Sequence, residues 1–219
     1  MKITTVGGNG FIGGHVVRNL SSNHHHVSVI DVSKTPDPID NVTYKTCDVF
    51  NDTGLLNSIK ELNPEILISF VGLADASKCH NDPRLGFDLN VRSVERVWDA
   101  ARKSTNISRC ILISTASIYG KTLQLPVNED MEAKPTSIYG WQKLLAEKTA
   151  LGYSSTYGPD TTIVRLFNVY GQGQAGIISH LISASKEKRE FLLHGASQLR
   201  DFVYAGDVAT AISKICEDP

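Results

Sequence analysis

Within the stretch SIYGWQK, residues 137–143, a tyrosine and a lysine stand four positions apart as Tyr139 and Lys143. On a helix that spacing sets both side chains on one face, one above the other. A free phenol titrates near 10, too high for proton exchange at neutral pH. An ammonium about 4 Å away, at an effective dielectric near 20, is worth about 4 kcal/mol, or roughly three pKa units. The spacing is therefore energetically sufficient for an acid/base pair, given burial. An amphipathic helix with a half-buried tyrosine and a solvated lysine fits the same seven residues, so the rest of the chain must decide between the two.

A second pattern with chemical content lies near the N-terminus. Gly8, Gly10 and Gly13 fit G-x-G-x-x-G, and Gly7, Gly10 and Gly13 fit G-x-x-G-x-x-G equally well. Such glycines let the backbone turn tightly out of a strand, let a pyrophosphate approach the main chain, and let a helix pack hard on a sheet. The helix start then offers amide donors and a positive dipole end. The next strand-like segment, VSVIDV, carries Asp31 near its end, where a carboxylate accepts hydrogen bonds from an adenosine ribose and repels a 2′-phosphate. NAD is expected over NADP, although Lys34 lies close by. Asp48, within CDV at the next strand end, is placed to reach an adenine edge, and an ordinary turn aspartate fits it as well.

The elements that must position these residues alternate. KITTV, VSVIDV, VTYKTCDV, PEILISFVGLA, RCILISTASIYG and TTIVRLFNVYG are short apolar runs separated by helical or turn-like sequence, including a helix expected over roughly 86–104. Apolar strands alternating with helices indicate βαβ units and a parallel sheet covered on both faces. The expected fold class is α/β, a doubly wound parallel sheet. The regularity fades from about residue 171, where a helix, a short strand, a polar turn, another strand and a last helix read as a small module above the C-terminal edge of the sheet. The expected division is 1–170 for the dinucleotide-binding domain and 171–219 for part of a substrate-binding module.

Bulk properties exclude several classes. The chain of 219 residues has 41% hydrophobic residues and a formal net charge of −1, with no basic block, so no nucleic-acid partner is expected. No apolar run is long enough to span a bilayer and the N-terminus lacks a signal-like apolar region, so no membrane is expected and a cytoplasmic location is. Cys47, Cys79, Cys110 and Cys216 lie far apart and read as buried free thiols. The histidines of NHHHV, residues 23–27, read as a solvated turn rather than a metal site.

Taken in order, GGNGFIGGH, Asp31, CDV, FVGLA, LNV, ISTASIYG, YGWQK, RLFNVYG and RDFVYAGDVA resemble the extended short-chain dehydrogenase/reductases, the NAD-dependent epimerase/dehydratase family of nucleotide-sugar enzymes. Val6 stands where that family usually has threonine, FVGLA replaces a more usual HLAA, and Trp141 and Gln142 occupy positions that often hold a small residue and a serine. Family members usually run on for roughly another third of the chain after RDFVY, so the sugar pocket is expected to be incomplete.

The resemblance implies roles. Tyr139 becomes the general acid/base for a sugar hydroxyl, Lys143 the residue that lowers its pKa and holds the nicotinamide ribose, and Thr115 the hydroxyl sharing the same sugar oxygen, with Ser114 and Ser117 as nearby alternatives. Cofactor contacts fall at Gly7, Gly10, Phe11, Ile12 and Gly13 in the turn and at Asp31, Asp48 and Val49 around adenosine. Phe70, Gly72, Asn90 and Phe167 complete them, with Asn90 tying helix to sheet. Asn168 is expected on the sugar nucleotide and Arg200 as a diphosphate clamp, since a guanidinium pairs bidentately with phosphate oxygens. Dehydratases of the family carry an Asp and a Glu after the Thr115 position. Ala116 and Ser117 stand here, which disfavours dehydration.

What remains is an NAD-dependent nucleotide-sugar epimerase acting at C4 of a UDP-hexose, a 4-keto nucleotide-sugar reductase that usually prefers NADPH, or a non-catalytic NAD-binding subunit or fragment. The resemblance also implies a homodimer. Ile138, Trp141 and Leu145, with Val94, Val97, Trp98 and Ala101 on the preceding helix, are candidates for its interface, and core packing explains half of them equally well.

Overall fold

The structure, a computed structural model, describes residues 1–35, 37–121, 125–174, 176–192 and 199–218. Strand β1 (Lys2–Val6) is β-branched and buried from its second residue onward, and it ends where Gly7 takes a φ of +78°. Helix α1 (Phe11–Ser22) follows at once and buries Gly13, Val16, Val17 and Leu20, a stripe of helical period. Strands β2 (His26–Asp31) and β3 (Thr43–Thr46) come next. Helix α2 (Asp52–Leu62) is capped by the Asn51 side chain and stopped by Asn63 in the left-handed region. All four residues of β4 (Ile66–Ser69) are buried.

Short helices α3 (Ala76–Asn81) and α4 (Pro83–Phe87) are each started by an aspartate cap, and α4 by Pro83 as well. A single π turn, Asp88–Arg92, carries α4 into α5 (Ser93–Arg102), so the helix expected over 86–104 is continuous but widened where Asn90 points inward. Strand β5 (Arg109–Thr115) leads through a 3₁₀ turn, Ala116–Tyr119, toward α6 (Ile138–Tyr157). The chain continues with β6 (Asp160–Leu166), β7 (Asn168–Tyr170), α7 (Ile177–Glu187), β8 (Phe202–Tyr204) and α8 (Ala205–Glu217).

Six strands form a wholly parallel sheet in the order β3-β2-β1-β4-β5-β6. The order reverses between β1 and β4, and ligands of such sheets bind in the crevice at that switch point. Two apolar layers flank it. On one face Val97, Trp98, Leu55, Ile59, Ala146 and Ala150 close over Val6, Ile30, Leu67 and Leu112. On the other, Val16, Val17, Leu20, Val208 and Ile212 cover Ile3, Val29, Ile68 and Ile111. The doubly wound parallel sheet expected from the apolar pattern is the fold the chain adopts.

Some expectations change. Helix α8, which the sequence pattern assigns to a separate module, packs on α1 and shares its apolar core, and Arg109 at the start of β5 donates to the carbonyls of Ile215 and Asp218. Helix α8 therefore returns to the sheet layer, while β7 and β8 form a separate two-stranded parallel ribbon. Val94, Val97, Trp98 and Ala101 are core residues, and the Trp98 indole donates to Thr161 Oγ1 at 2.9 Å. They offer nothing to a partner. The strand expected between α7 and β8 falls largely on residues 193–198, outside the described residues. All four cysteines are free and buried.

Candidate active site

A cavity of about 570 Å³ opens at the switch point. Gly7, Gly10, Phe11, Ile12 and Gly13 line it, together with Phe70, Gly72, Asn90, Phe167 and Asn168. Thr115, Tyr139 and Lys143 line it together. The ends of β1, β4 and β5 and the start of α6 thus bring most of the expected site residues to one place.

The glycine turn suits a pyrophosphate on backbone grounds. A Cβ at Gly13 would stand 2.8 Å from Gly8 Cα, so this glycine is what lets α1 meet the turn. A Cβ at Gly10 would meet Gly7 O alone, at 3.5 Å, and so would occupy cavity rather than protein. No side chain caps the start of α1, whose first residues line the cavity, leaving its orphan amides available to an anion. Asp31 clasps the turn: its carboxylate accepts from the Asn9 amide and from the Ser33 amide and hydroxyl, each at 3.0 Å. A second cavity of about 250 Å³, lined by Asn9, Ser33, Lys34 and Thr35 among others, lies beside it. These features fit a dinucleotide with its adenosine end toward Asp31.

Three consecutive residues of β5 receive three residues of α6 spaced one turn apart. The Thr115 hydroxyl faces the Tyr139 phenol, the Ile113 carbonyl accepts from Lys143 Nζ at 2.7 Å, and the Ser114 hydroxyl donates to Glu147. Helix α6 is aimed by its cap, Ser137 Oγ accepting from the Gly140 amide at 3.1 Å. Thr115 Oγ1 also accepts from the Ser117 amide and donates to Ser117 Oγ, both at 3.2 Å, so Ser117 belongs to the cavity as well. Asn90 is wholly buried and holds the loop after β4 through Leu73, accepting from its amide at 2.8 Å and donating to its carbonyl at 3.3 Å.

The electrostatics differ from the simple pair estimate. Burial pushes the Tyr139 phenol up, and the Thr115 hydroxyl only partly offsets this. Lys143, 5% exposed, is itself pushed down to about 8 by loss of water, with Glu147 opposing. Enclosure thus works against both charged forms, and the ammonium spends one of its three donors on Ile113. Two donors remain for the cavity.

Asp31 holds the glycine turn without lining either cavity, and three further expected contacts lie away from the rest. Asp48 is exposed and its carboxylate turns back to the Phe50 amide at 3.0 Å, while Val49 is part of the apolar core. Arg200 is exposed, and its guanidinium donates to the neighbouring Leu199 carbonyl rather than facing the cavity. Among the described residues it forms no ion pair with Asp201 or Asp207 either. Gln174, which sequence reasoning misses, does line the cavity. It follows the NVYG run by three residues, and that proximity is the available signal.

Residues 3–219 match the family model described as the NAD dependent epimerase/dehydratase family. A provisionally named UDP-glucose 4-epimerase of Methanocaldococcus jannaschii is 32% identical over 95% of this chain, which spans 71% of that relative. The fold superposes on the Thermus thermophilus UDP-glucose 4-epimerase in complex with NAD with a TM-score of 0.90 at 25% identity, covering 100% of this chain and 75% of that one. For the Thermotoga maritima UDP-glucose 4-epimerase with UDP-glucose the TM-score is 0.88 at 25% identity, over 96% and 72% of the two chains.

Proposed function

The chain belongs to the NAD-dependent epimerase/dehydratase family, and from that premise we propose that it is a nucleotide-sugar epimerase inverting C4 of a UDP-linked hexose. The observation that carries this reading is the convergence of Thr115, Tyr139 and Lys143 on one cavity with the glycine turn. The residues after Thr115, Ala116 and Ser117, supply no carboxylate for eliminating water. Relatives and structural neighbours carrying the name UDP-glucose 4-epimerase support the substrate class.

Tyr139 exchanges the proton of the sugar 4-hydroxyl, and Thr115 holds the same oxygen by a hydrogen bond. Lys143, with two donors free, holds the nicotinamide ribose and favours the phenolate by charge. When bound, NAD supplies the reversible acceptance of the hydrogen on C4 and a positive ring that adds to the field on the phenol. Asp31 holds the adenosine ribose, and the amides at the start of α1 hold the pyrophosphate. Asn168, tied by its hydrogen bond at 2.8 Å to the carbonyl of Asp201, the residue before β8, faces the sugar nucleotide. Residues 1–170 hold the dinucleotide, and the β7–β8 ribbon and α7 border the sugar. The chain pairs with a second copy through α6, where Ile138, Trp141 and Leu145 are 40%, 50% and 46% exposed. Among the described residues no helix is long and apolar enough to cross a membrane.

The test is to denature the purified protein, identify the nucleotide it releases, and assay interconversion of UDP-glucose and UDP-galactose. Stoichiometric NAD with turnover that falls about 10³-fold in Tyr139→Phe, while NAD is retained, is the expected result. Release of NADP, or one-way reduction of a 4-keto sugar, makes the protein a reductase instead. Bound NAD without turnover of any nucleotide sugar leaves a non-catalytic module.

A further inference from the structure

Beneath the cavity lies a charged cluster that the roles above do not use. Glu147 follows Lys143 by one turn of α6, and its side chain is 2% exposed. Arg165 Nη2 donates to it at 2.9 Å and Nε at 3.2 and 3.3 Å, while the Ser114 hydroxyl donates from the other side. Arg165 stands on β6 directly beside Ser114 in the parallel register. Its remaining nitrogen donates to the Tyr119 hydroxyl at 2.8 Å and to the Glu129 carbonyl at 3.1 Å. One guanidinium thus joins β6, the turn after Thr115, the segment leading to Tyr139, and α6, while Ser114 ties β5 to the same carboxylate.

A buried ion pair is a poor way to gain stability, because well-packed apolar residues of the same volume do as well or better. Its presence within an otherwise apolar strand end calls for another reason. Lys143 and Glu147, four residues apart, are natural partners on one helix face. Lys143 Nζ is nevertheless turned to the Ile113 carbonyl and the cavity. The difference lies in shape: a planar guanidinium engages a carboxylate with two parallel donors, whereas an ammonium is a point charge. Arg165 wins the carboxylate, and Lys143 is left free.

We propose that the Glu147–Arg165 pair is the positioning device of the active-site lysine: Arg165 occupies the carboxylate so that Lys143 stays turned to the cavity, with the carboxylate held one turn below it. The proposal rests on Lys143 being the ribose and phenol partner. Burial pushes the Lys143 ammonium down and Glu147 is the charge that pushes back, consistent with this arrangement. The groups around the lysine are few. Tyr139 and Glu147 share its helix, Cys79 of α3 faces Tyr139, and Arg165 with the Tyr119 phenol faces Glu147 from the β6 side.

The test is NAD titration of the full chain by calorimetry between pH 6.5 and about 9.5, for wild type, Glu147→Gln and Arg165→Lys, with thermal melting as a check of fold. Wild-type affinity falls as the ammonium is lost. In Glu147→Gln that fall moves to lower pH by about one unit, with affinity at pH 6.5 nearly unchanged. In Arg165→Lys, which keeps the charge but not the fork, Lys143 turns onto Glu147 and affinity drops about tenfold across the range. Superimposable profiles in wild type and Glu147→Gln, or wild-type affinity in Arg165→Lys, overturn the proposal. Should Glu147→Gln not fold, Arg165→Lys decides alone. Wild type that binds no NAD at any pH overturns the assignment of the site itself, which is a different result from bound NAD with an unmoved profile.

Discussion

The buried carboxamides of Asn90 and Gln142 meet directly, Asn90 Nδ2 donating to Gln142 Oε1 at 3.2 Å, one residue before Lys143. Gln142 Nε2 continues the link to the Pro83 carbonyl at 3.0 Å, and Asn90 extends it to Leu73. The loop after β4, the π turn and α6 are therefore locked by two side chains. A Cβ at Gly86 would stand 2.7 Å from Gln142 Oε1, so the glycine leaves the room this longer side chain needs.

Replacing Gln142 by Ala removes both hydrogen bonds and opens a void beside the buried Asn90 carboxamide. We expect a loss of about 2–4 kcal/mol, read as a lower urea midpoint with unchanged slope. A loss below about 0.5 kcal/mol would mean the two carboxamides are satisfied by water and do not lock the loop.

Gly10 and Gly13 separate cofactor fit from fold. At Gly13 a methyl group would overlap the backbone of Gly8, with three atoms inside 3.0 Å, so Gly13→Ala forces α1 off the turn. We expect destabilisation of about 1–3 kcal/mol, seen in thermal melting, together with lost NAD binding. At Gly10 the added carbon finds only Gly7 O, at 3.5 Å, and projects into the cavity. Gly10→Ala should melt with wild type and still bind NAD at least tenfold more weakly in calorimetric titration. Equal losses of stability in the two variants would contradict this division.

What the sequence makes legible depends on whether the signal is local. The strand-turn-helix at 2–22 and the Tyr139–Lys143 face are set by periodicity and glycine within a few residues, and the structure follows them closely. Helix α8 is misplaced by pattern alone because an amphipathic helix says that one face is buried, not which layer buries it. Arg200 reads as a clamp from a neighbouring motif, but its aim depends on long-range packing that a short motif does not encode. A two-charge estimate for the Tyr139–Lys143 pair leaves out the desolvation of each group, and burial pushes the Tyr139 phenol up and the Lys143 ammonium down. Glu147 and Arg165 are readable in principle. A charged residue inside TTIVRLF must find a buried partner, and the four-residue step from Lys143 points to Glu147.

Lys143 also makes a prediction about stability that requires no substrate. Its ammonium titrates near 8 in the fold against an ordinary value of 10.5, so the folded state holds the charged lysine at a penalty. That penalty is fully present below about pH 8 and is relieved as pH climbs toward the unfolded value, because the unfolded chain then binds the extra proton. Lys143→Met removes it. We expect the variant to be more stable than wild type by about 2–3 kcal/mol at pH 7, in urea denaturation, with the difference shrinking steadily between about pH 8 and 10. Burial pushes the Cys110 and Cys216 thiols up to about 12 from 9.0, so both proteins lose stability as pH rises above 9. The subtraction cancels that shared loss and isolates the lysine. A difference independent of pH would mean the ammonium keeps its water in the fold, and its hold on a ribose would then have to come from hydrogen bonds rather than from charge. A difference that closes as expected would mean the fold gives up stability to keep an ammonium at the cavity, which is the behaviour of a residue retained for chemistry.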